Sequence, residues 1–396
     1  MRPAAESKKI ALVHDWLTGM RGGEKVLEAV CERYPRAELF TLVHVKGSVS
    51  PAIERLRPHT SFIQRLPLVK RAYRAYLPLF PTAIEQFDFD RFDLIVSISH
   101  CAVKSVIRPG RAKHLCYCLT PMRYAWDQFD AYFGPERMGR TSSAMMRRVM
   151  ARMARWDRDT AGRADRYVAI SHYVAGRIRR YYNRNATVVY PPVDTSYFTP
   201  SALAASSSSS SSSPFSSPAA SGRYALVVSA LVPYKQVDLA IESCRLAGIP
   251  LTVAGDGPER ARLERLAASA PGSVRFLGRQ SDAAIRDLYR GATVTLLPGE
   301  EDFGIVPVEA QACGTPVVAL GRGGAVETVV QGTTGFLVDT PIAPAFADAI
   351  TRVTKASFDP AAIRTHAERF SRERFLAEFS DLIDAELAYG AEPRVN

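Results

Sequence analysis

The stretch VTLLPGEEDFGIVPVEAQACGTPVV, Val294 to Val318, decides the fold. It opens on an apolar run, Val294–Leu297, that Pro298 and Gly299 bring to an end. Three acids follow, Glu300, Glu301 and Asp302, and then Phe303 and Gly304. From Ile305 to Ala312 the pattern is helical. Gly314 and Pro316 stop that helix, and Thr315 to Leu320 reads as the next strand. Strand, loop, helix and strand in this order make one unit of an α/β fold. In an open α/β sheet the loops at the carboxyl ends of the strands line the ligand crevice. Glu301 falls in such a loop, and Glu309 lies two turns further on, within the helix. Gly304 lets the backbone approach a ligand closely, and the free N–H groups of the helix start point the same way. Two carboxylates with backbone donors suit a polyhydroxylated ligand. Taken alone, the pair also reads as a solvated loop acid and a surface helix acid.

The context narrows the choice. Glu301 and Glu309 bracket Phe-Gly, and Gly-Thr-Pro-Val-Val follows them. This resembles the E-x7-E signature of the retaining nucleotide-sugar glycosyltransferases of family 4, which have the GT-B fold. The resemblance implies an α/β chain of two Rossmann-like domains facing a cleft, with the nucleotide-sugar mostly on the second. It implies that Glu301 holds sugar hydroxyls and Glu309 ribose hydroxyls. The backbone of Phe303, Gly304 and Ile305 would hold further oxygens of the sugar.

Other segments carry the same resemblance. Lys235, in Val232-Pro233-Tyr234-Lys235 ahead of the helical VDLAIES, matches the family lysine that contacts the donor diphosphate. A lysine at a helix N-terminus opposes the dipole, so a bound anion is the natural reason for one there. The family arginine five residues earlier is Ala230 here, and Arg322 in Gly321-Arg322-Gly323-Gly324 is the candidate substitute. VRFLGRQ, residues 274–280, corresponds to the strand and loop that receive the nucleobase, which gives Gly278, Gln280 and Asp282 as candidates. Near the start, the strand KKIALVHDW feeds a loop with Gly22 and Gly23 and then an amphipathic helix. That turn is phosphate-friendly, and in the family it lies against the diphosphate. It is not G-x-G-x-x-G, so it is no dinucleotide fingerprint.

HLCYCLTPMRYAWD, residues 114–127, is similar to the O-antigen and exopolysaccharide mannosyltransferase branch. That branch commonly has a histidine before Thr-Pro, where this chain has Leu119. The implied reaction moves mannose from GDP-mannose to a lipid-linked or oligosaccharide acceptor, with retention and without a metal. No cofactor is implied beyond the nucleotide-sugar substrate. Asp88-Phe89-Asp90 looks like a D-x-D metal motif, but it sits where a helix passes into the strand FDLIVSIS, and the family does not use one.

Pro-Pro-Val-Asp, residues 191–194, marks the crossing between domains in the family. The expected domains are 1–190 and 191–370, with 371–396 as a closing helix that crosses back to the first. Residues 201–222 read as a disordered Ser-rich insertion.

Charge is lopsided. Residues 1–194 hold 33 lysines and arginines against 18 acids, a balance of +15, while the remainder balances at −4. A basic first half implies an anionic partner. No nucleic-acid motif accompanies it, so an anionic membrane surface is the expectation. Basic residues mix with aromatics over residues 54–87. The methionines of 145–153 read as a packing stripe. Six cysteines at no metal-binding spacing suit a reducing cytosol. No signal peptide or membrane-spanning run is expected, which points to a cytoplasmic or peripheral inner-face location. Two other readings stay open: a GT-B sugar-nucleotide epimerase, and a non-catalytic nucleotide-sugar binding module.

Overall fold

A computed structural model describes residues 8–201, 223–268 and 273–389. Apart from Ser201, the Ser-rich stretch lies outside the described residues. The chain divides into two units, one running to Pro192 and resuming at Arg372, the other Val193–Ser371.

The first unit is built on seven parallel strands: β1 Ile10–Leu17, β2 Glu38–His44, β3 His59–Thr60, β4 Leu94–Ser99, β5 Lys113–Cys118, β6 Arg166–Ala169 and β7 Ala186–Val188. Their order is β3-β2-β1-β4-β5-β6-β7. Every residue of β1 and of β4 is buried, as happens when helices cover both faces of a parallel sheet. The sheet grows one way from β1 and the other way from β4, so its topological switch point lies between those strands.

The basic, aromatic segment expected to form a surface patch mostly turns inward. Tyr73, Leu77 and Phe80 are buried in the core beside Ile63, Val69 and Ile84. Short turns carry no single period, so the sequence does not say which side chains point in. Leu68 and Leu79 are left outside, with Arg65, Lys70 and Arg74. The helix Arg140–Asp159 follows its expected stripe in part: Met150 and Met153 are buried and Met146 is half-buried, but Met145 is exposed, as are Arg147, Arg148, Arg152, Arg155 and Arg158. At its end, Asp157 pairs with the buried Lys104 at 3.1 Å. Trp126 Nε1 and Tyr182 O–H also donate to Asp157, at 2.7 and 2.8 Å. Both bonds fall on Oδ2 and offset part of the cost of burying the pair. The helix Arg372–Tyr389 belongs to this unit, with Phe375 and Phe379 edge-on to Tyr117 of β5.

The second unit has six parallel strands: β8 Ala225–Val228, β9 Leu251–Ala254, β10 Val274–Gly278, β11 Val294–Leu297, β12 Val317–Leu320 and β13 Gly335–Val338. Their order, β10-β9-β8-β11-β12-β13, again reverses between the first and fourth strands of the unit. Both units are therefore Rossmann-like, the α/β architecture expected. All six cysteines are buried and free. Among the described residues, no helix is long and apolar enough to cross a membrane.

Candidate active site

The switch point of the second sheet lies between β8 and β11, where ligands of such sheets bind. After β8 the chain makes a short turn at Pro233–Lys235 and enters the helix Val237–Ala247. After β11 it passes through Pro298 and Gly299 to Glu301. Gly299 has no room for a side chain: a Cβ there would overlap the carbonyl oxygen of Tyr234 and stand 2.9 Å from Lys235 Cα. The missing side chain lets the two loops touch, and Lys235 Nζ pairs with Glu301 Oε1, both largely buried.

A third loop, after β12, closes on the same place. Gly324 N donates to Glu301 O at 2.7 Å, and Gly323 bridges Glu301 as a strand neighbour would. A Cβ on Gly323 would overlap Glu301, and one on Gly324 would overlap the Phe303 backbone. Gly323 and Gly324, after Arg322, thus have a steric reason. Arg322 itself is exposed, and its guanidinium lies 3.5 Å from the Asp339 carbonyl, beyond β13. It does not join Lys235 in this arrangement.

The side chain of Phe303 is buried edge-on against Phe370, so this residue offers a ligand only its backbone. Gly304 takes φ +89° as the N-cap of the helix Ile305–Ala312, a conformation open to glycine. The N–H groups of Ile305 and Val306 have no intrahelical acceptor, while Pro307 carries no N–H. The helix start therefore offers a narrow pair of donors beside Glu301. Further along, Glu309 is only 6% exposed and accepts a hydrogen bond from Tyr289 O–H at 3.1 Å. Burial raises the phenol pKa of Tyr289 well above its ordinary value, and the charge of Glu309 adds to this. Tyr289 stays a donor and fixes the carboxylate.

Gly278, at the end of β10, takes φ +68°, and its carbonyl accepts from Gly255 N at 2.8 Å. Gln280 turns its amide onto its own loop, donating to the Leu277 and Arg279 carbonyls. Asp282 is the exposed first residue of the helix Asp282–Gly291, which Ser281 caps. These three lie along the same carboxyl rim as Lys235 and Glu301, with β9 between β10 and β8. Gly22 and Gly23 belong to the first unit, as the first two residues of the helix Gly22–Arg33. A Cβ on Gly23 would stand 2.7 Å from Leu119 Cδ1 and 3.4 Å from His14 Cε1. Asp88 spends a carboxylate oxygen on the N–H of Asp90, at 2.9 Å. Among the described residues, no group of three or more His, Cys, Asp or Glu is placed to hold a metal ion.

Sequence reasoning missed two things. Tyr289 as the partner of Glu309 has no local signal, because the two are 20 residues apart. His14, Asp15 and His100 cluster at the switch point of the first sheet, which becomes visible only once β1 and β4 are known to be neighbours.

Two family models match the chain. Glycosyltransferase Family 4 covers residues 20–197 and Glycosyl transferases group 1 covers residues 212–371. Each Rossmann-like unit is thus matched by a glycosyltransferase model, and the fold is that of the GT-B glycosyltransferase structures. Among individual proteins, the chain is 32% identical over 226 residues to the D-inositol 3-phosphate glycosyltransferase of Mycobacteroides abscessus, covering 54% of this chain and 47% of that one. It is 33% identical over 255 residues to the protein of the same name from Salinispora arenicola, covering 58% and 57%. The chain thus spans about half the length of the curated relatives it matches. Of solved structures, Anabaena HepE in complex with UDP superposes with a TM-score of 0.66 at 19% identity, over 95% of this chain and 100% of that one. The lipopolysaccharide outer core galactosyltransferase WaaB superposes with a TM-score of 0.64 at 17% identity, over 96% and 99%.

Proposed function

We propose that the chain transfers a hexosyl group from a nucleoside-diphosphate sugar to a hydroxyl of a lipid-linked or oligosaccharide acceptor, with retention of configuration. The observation that carries this is the Lys235–Glu301 pair across the switch point of the second sheet, beside a helix start with free N–H groups. One residue of the pair suits a diphosphate and the other suits sugar hydroxyls.

As the bond from the anomeric carbon to the diphosphate oxygen breaks, positive charge grows on the sugar and negative charge on the leaving group. Lys235 and the helix N–H groups meet the second charge, the preorganised donor arrangement that lowers such barriers most. Glu301 holds the hexose hydroxyls and orients the ring. Glu309, fixed by Tyr289, takes the ribose hydroxyls. The acceptor oxygen bonds to the anomeric carbon on the face the diphosphate leaves, and its proton passes to the departing phosphate oxygen. Lys235 does the work that a metal does elsewhere, so the reaction runs without one.

The family resemblance supports GDP-mannose as donor and surface-polysaccharide synthesis as the role. The bound UDP of HepE makes a uridine donor the other arm of the test. Two of the matched relatives are named for a phosphorylated polyol, which widens the acceptor class to be tried. The basic exposed face of the first unit supports docking on an anionic membrane at its cytoplasmic side.

The test is calorimetric titration with GDP, UDP, GDP-mannose and UDP-glucose. Transfer assays with octyl hexosides and inositol 1-phosphate then follow, with and without a chelator. Binding of one nucleotide family and chelator-resistant transfer are expected. No nucleotide binding would overturn the reading. Donor conversion to an epimer without an acceptor would replace it.

A further inference from the structure

The Pro-Pro-Val-Asp crossing leads into a segment, Asp194 to Thr199, that the transfer mechanism does not use. The segment lies wholly in the second unit. Asp194 folds it into a turn: its Oδ1 accepts from Tyr197 N at 2.9 Å, and its carbonyl accepts from Phe198 N at 2.9 Å. Aspartate side chains commonly organise turns in this way. Three arginines fasten the turn from outside. Arg290 donates through Nε and Nη2 to the carbonyl and hydroxyl of Thr199, at 2.6 and 2.9 Å. The Arg286 guanidinium lies 4.6 Å from the centre of the Tyr197 ring. Arg364 donates to the Thr195 carbonyl through Nη2 and to the Phe198 carbonyl through Nη1, both at 3.1 Å.

Arg364 Nη1 has a second acceptor. It also donates to the Ala312 carbonyl, at 2.8 Å. Ala312 is the last residue of the helix Ile305–Ala312, and Glu309 stands three positions before it. A cation at a helix C-terminus meets carbonyls that lack an intrahelical donor. Here one nitrogen holds both the helix end and Phe198. Phe198 is buried and sets its ring against that of Tyr289, with centroids 5.9 Å apart and planes at 69°. Tyr289 O–H donates to Glu309 Oε2. The Tyr289 carbonyl is held as well, by the Thr315 hydroxyl at 2.6 Å. One guanidinium thus braces both members of the Glu309–Tyr289 pair, the carboxylate through its helix and the phenol through Phe198. Arg364 Nε faces Glu368 Oε1 at 3.1 Å, one turn along its own helix. A lysine would keep the charge but lack this fixed fork of donors.

We propose that Phe198 and Arg364 are positioning residues for nucleotide binding: they hold Tyr289, and with it Glu309, where the carboxylate takes the ribose hydroxyls. The proposal rests on the ribose role given to Glu309 above. Both residues act through others, so neither is catalytic. A carboxylate serves two neighbouring hydroxyls only when it is correctly aimed, because hydrogen bonds weaken steeply with angle. The bond from Tyr289 to Oε2 sets that aim. Packing in turn sets the tyrosine: an edge-on neighbour leaves its ring one orientation, whereas a gap beside it leaves several. The crossing motif then has a functional reason, since its phenylalanine is the ring behind the ribose carboxylate.

The test compares the full chain as wild type with Phe198→Leu, Arg364→Lys, Tyr289→Phe and the double variant of Phe198→Leu with Tyr289→Phe. Calorimetry measures affinity for GDP and UDP and for their dideoxy forms, which lack both ribose hydroxyls. Denaturant titration measures stability. Wild type should prefer the ribonucleotide to its dideoxy form by at least about 10-fold, the scale of charge-type hydrogen bonds. Phe198→Leu and Arg364→Lys should each reduce that ratio about 2- to 10-fold, with dideoxy affinity unchanged. A general loosening of the fold would lower both affinities together, so the ratio separates positioning from packing. With Tyr289→Phe already present, Phe198→Leu should change the ratio no further. Donor KM should rise in Phe198→Leu and Arg364→Lys with kcat nearly constant, because the ribose is remote from the breaking bond. An unchanged ratio in either single variant, or a full additional loss in the double variant, would overturn the proposal. Should Arg364→Lys fail to fold, Phe198→Leu and the double variant decide alone. A wild type with no preference for the ribonucleotide would remove the ribose reading of Glu309, and stability would then decide. Coupling between Phe198→Leu and Tyr289→Phe in the denaturant midpoints would keep the positioning, and additivity would overturn it.

Discussion

Lys235 and Glu301 neutralise one another across the switch point of the second sheet, although 66 residues of sequence separate them. In the proposed roles, each therefore occupies the place of the other's ligand. The ammonium meets a carboxylate where a diphosphate would lie, and the carboxylate meets an ammonium where sugar hydroxyls would lie. Donor binding must exchange this contact for two others, so the variants should behave asymmetrically. Lys235→Ala should reduce transfer more than donor affinity, because the diphosphate charge grows as the sugar leaves. Glu301→Gln should reduce transfer roughly 10²-fold, the scale of one lost preorganised contact. The same change frees Lys235 from its competitor, so free GDP or UDP should bind at least as tightly as to the wild type. Calorimetry beside initial rates checks both, and weaker nucleotide binding by Glu301→Gln would sink the exchange model.

Glu309 and Tyr289 make a different kind of pair. Both are buried, and the phenol is a neutral donor. Removing the carboxylate with Glu309→Ala should weaken nucleotide binding by about 2–4 kcal/mol, two charge-type hydrogen bonds. Tyr289→Phe leaves a buried carboxylate short of a donor and should cost about 1–3 kcal/mol of stability. Its nucleotide affinity should fall less than that of Glu309→Ala. Denaturant titration and calorimetry separate the effects. Unaltered nucleotide affinity in Glu309→Ala would take the ribose away from this residue.

The strand, helix and strand of Val294–Val318 were legible because their signals are local: an apolar run, Pro-Gly and Gly-Thr-Pro breakers, and a helical period. Lys235 and Glu301 were legible as separate candidates. Their contact was not, because it depends on β8 and β11 being neighbours and on Gly299 letting one loop rest on the other. Tyr73, Leu77 and Phe80 read as surface residues amid arginines, yet they are core, since irregular turns announce no inward face. Arg322 was chosen for its charge beside three glycines. The structure gives two of those glycines a steric reason and turns the guanidinium toward Asp339.

His114 gives the fold a pH dependence. It is fully buried on β5, with Nε2 2.8 Å from Ser97 Oγ, and burial lowers its pKa from 6.5 to about 4. The unfolded chain protonates this histidine below pH 6.5 while the folded one does not. Stability is thus complete above pH 6.5 and declines as pH falls toward 4, by about 3 kcal/mol from this group. Glu24, with its lowered pKa, adds a loss of the same sign at lower pH. Denaturant midpoints between pH 7 and 4 should drop more steeply for the wild type than for His114→Asn. Parallel slopes would assign the dependence elsewhere.

The proposed membrane docking would rest on the exposed residues of the first unit. Leu68 is 74% and Met145 65% exposed, near the exposed arginines of their segments. Binding to vesicles containing anionic lipid should weaken as salt rises, because exposed charges are screened within about 10 Å at 0.1 M. Equal binding to neutral vesicles would exclude an electrostatic surface. Leu68→Ser with Met145→Ser should weaken binding without changing nucleotide affinity.

Gly299 tests whether the Lys235–Glu301 geometry is set by the backbone or by the charges alone. Its φ lies outside the left-handed region, so alanine is not excluded by backbone preference. The obstacle is contact: a Cβ would overlap the Tyr234 carbonyl oxygen and press on Lys235 Cα at 2.9 Å. These are backbone atoms and cannot rotate away as a flexible side chain would. The loop after β8 must therefore move off the loop after β11, carrying Lys235 with it. Gly299→Ala should cost about 1–3 kcal/mol of stability, the usual scale of overpacking. It should also lower transfer by about 10²-fold although both charges remain, because displacement of a reacting group by about 1 Å has that effect. Nucleotide affinity should fall with it, unlike in Glu301→Gln, since Lys235 itself is displaced. Normal transfer by a destabilised Gly299→Ala protein would mean that the side chains find each other without the glycine. The close approach of the two loops would then be packing alone.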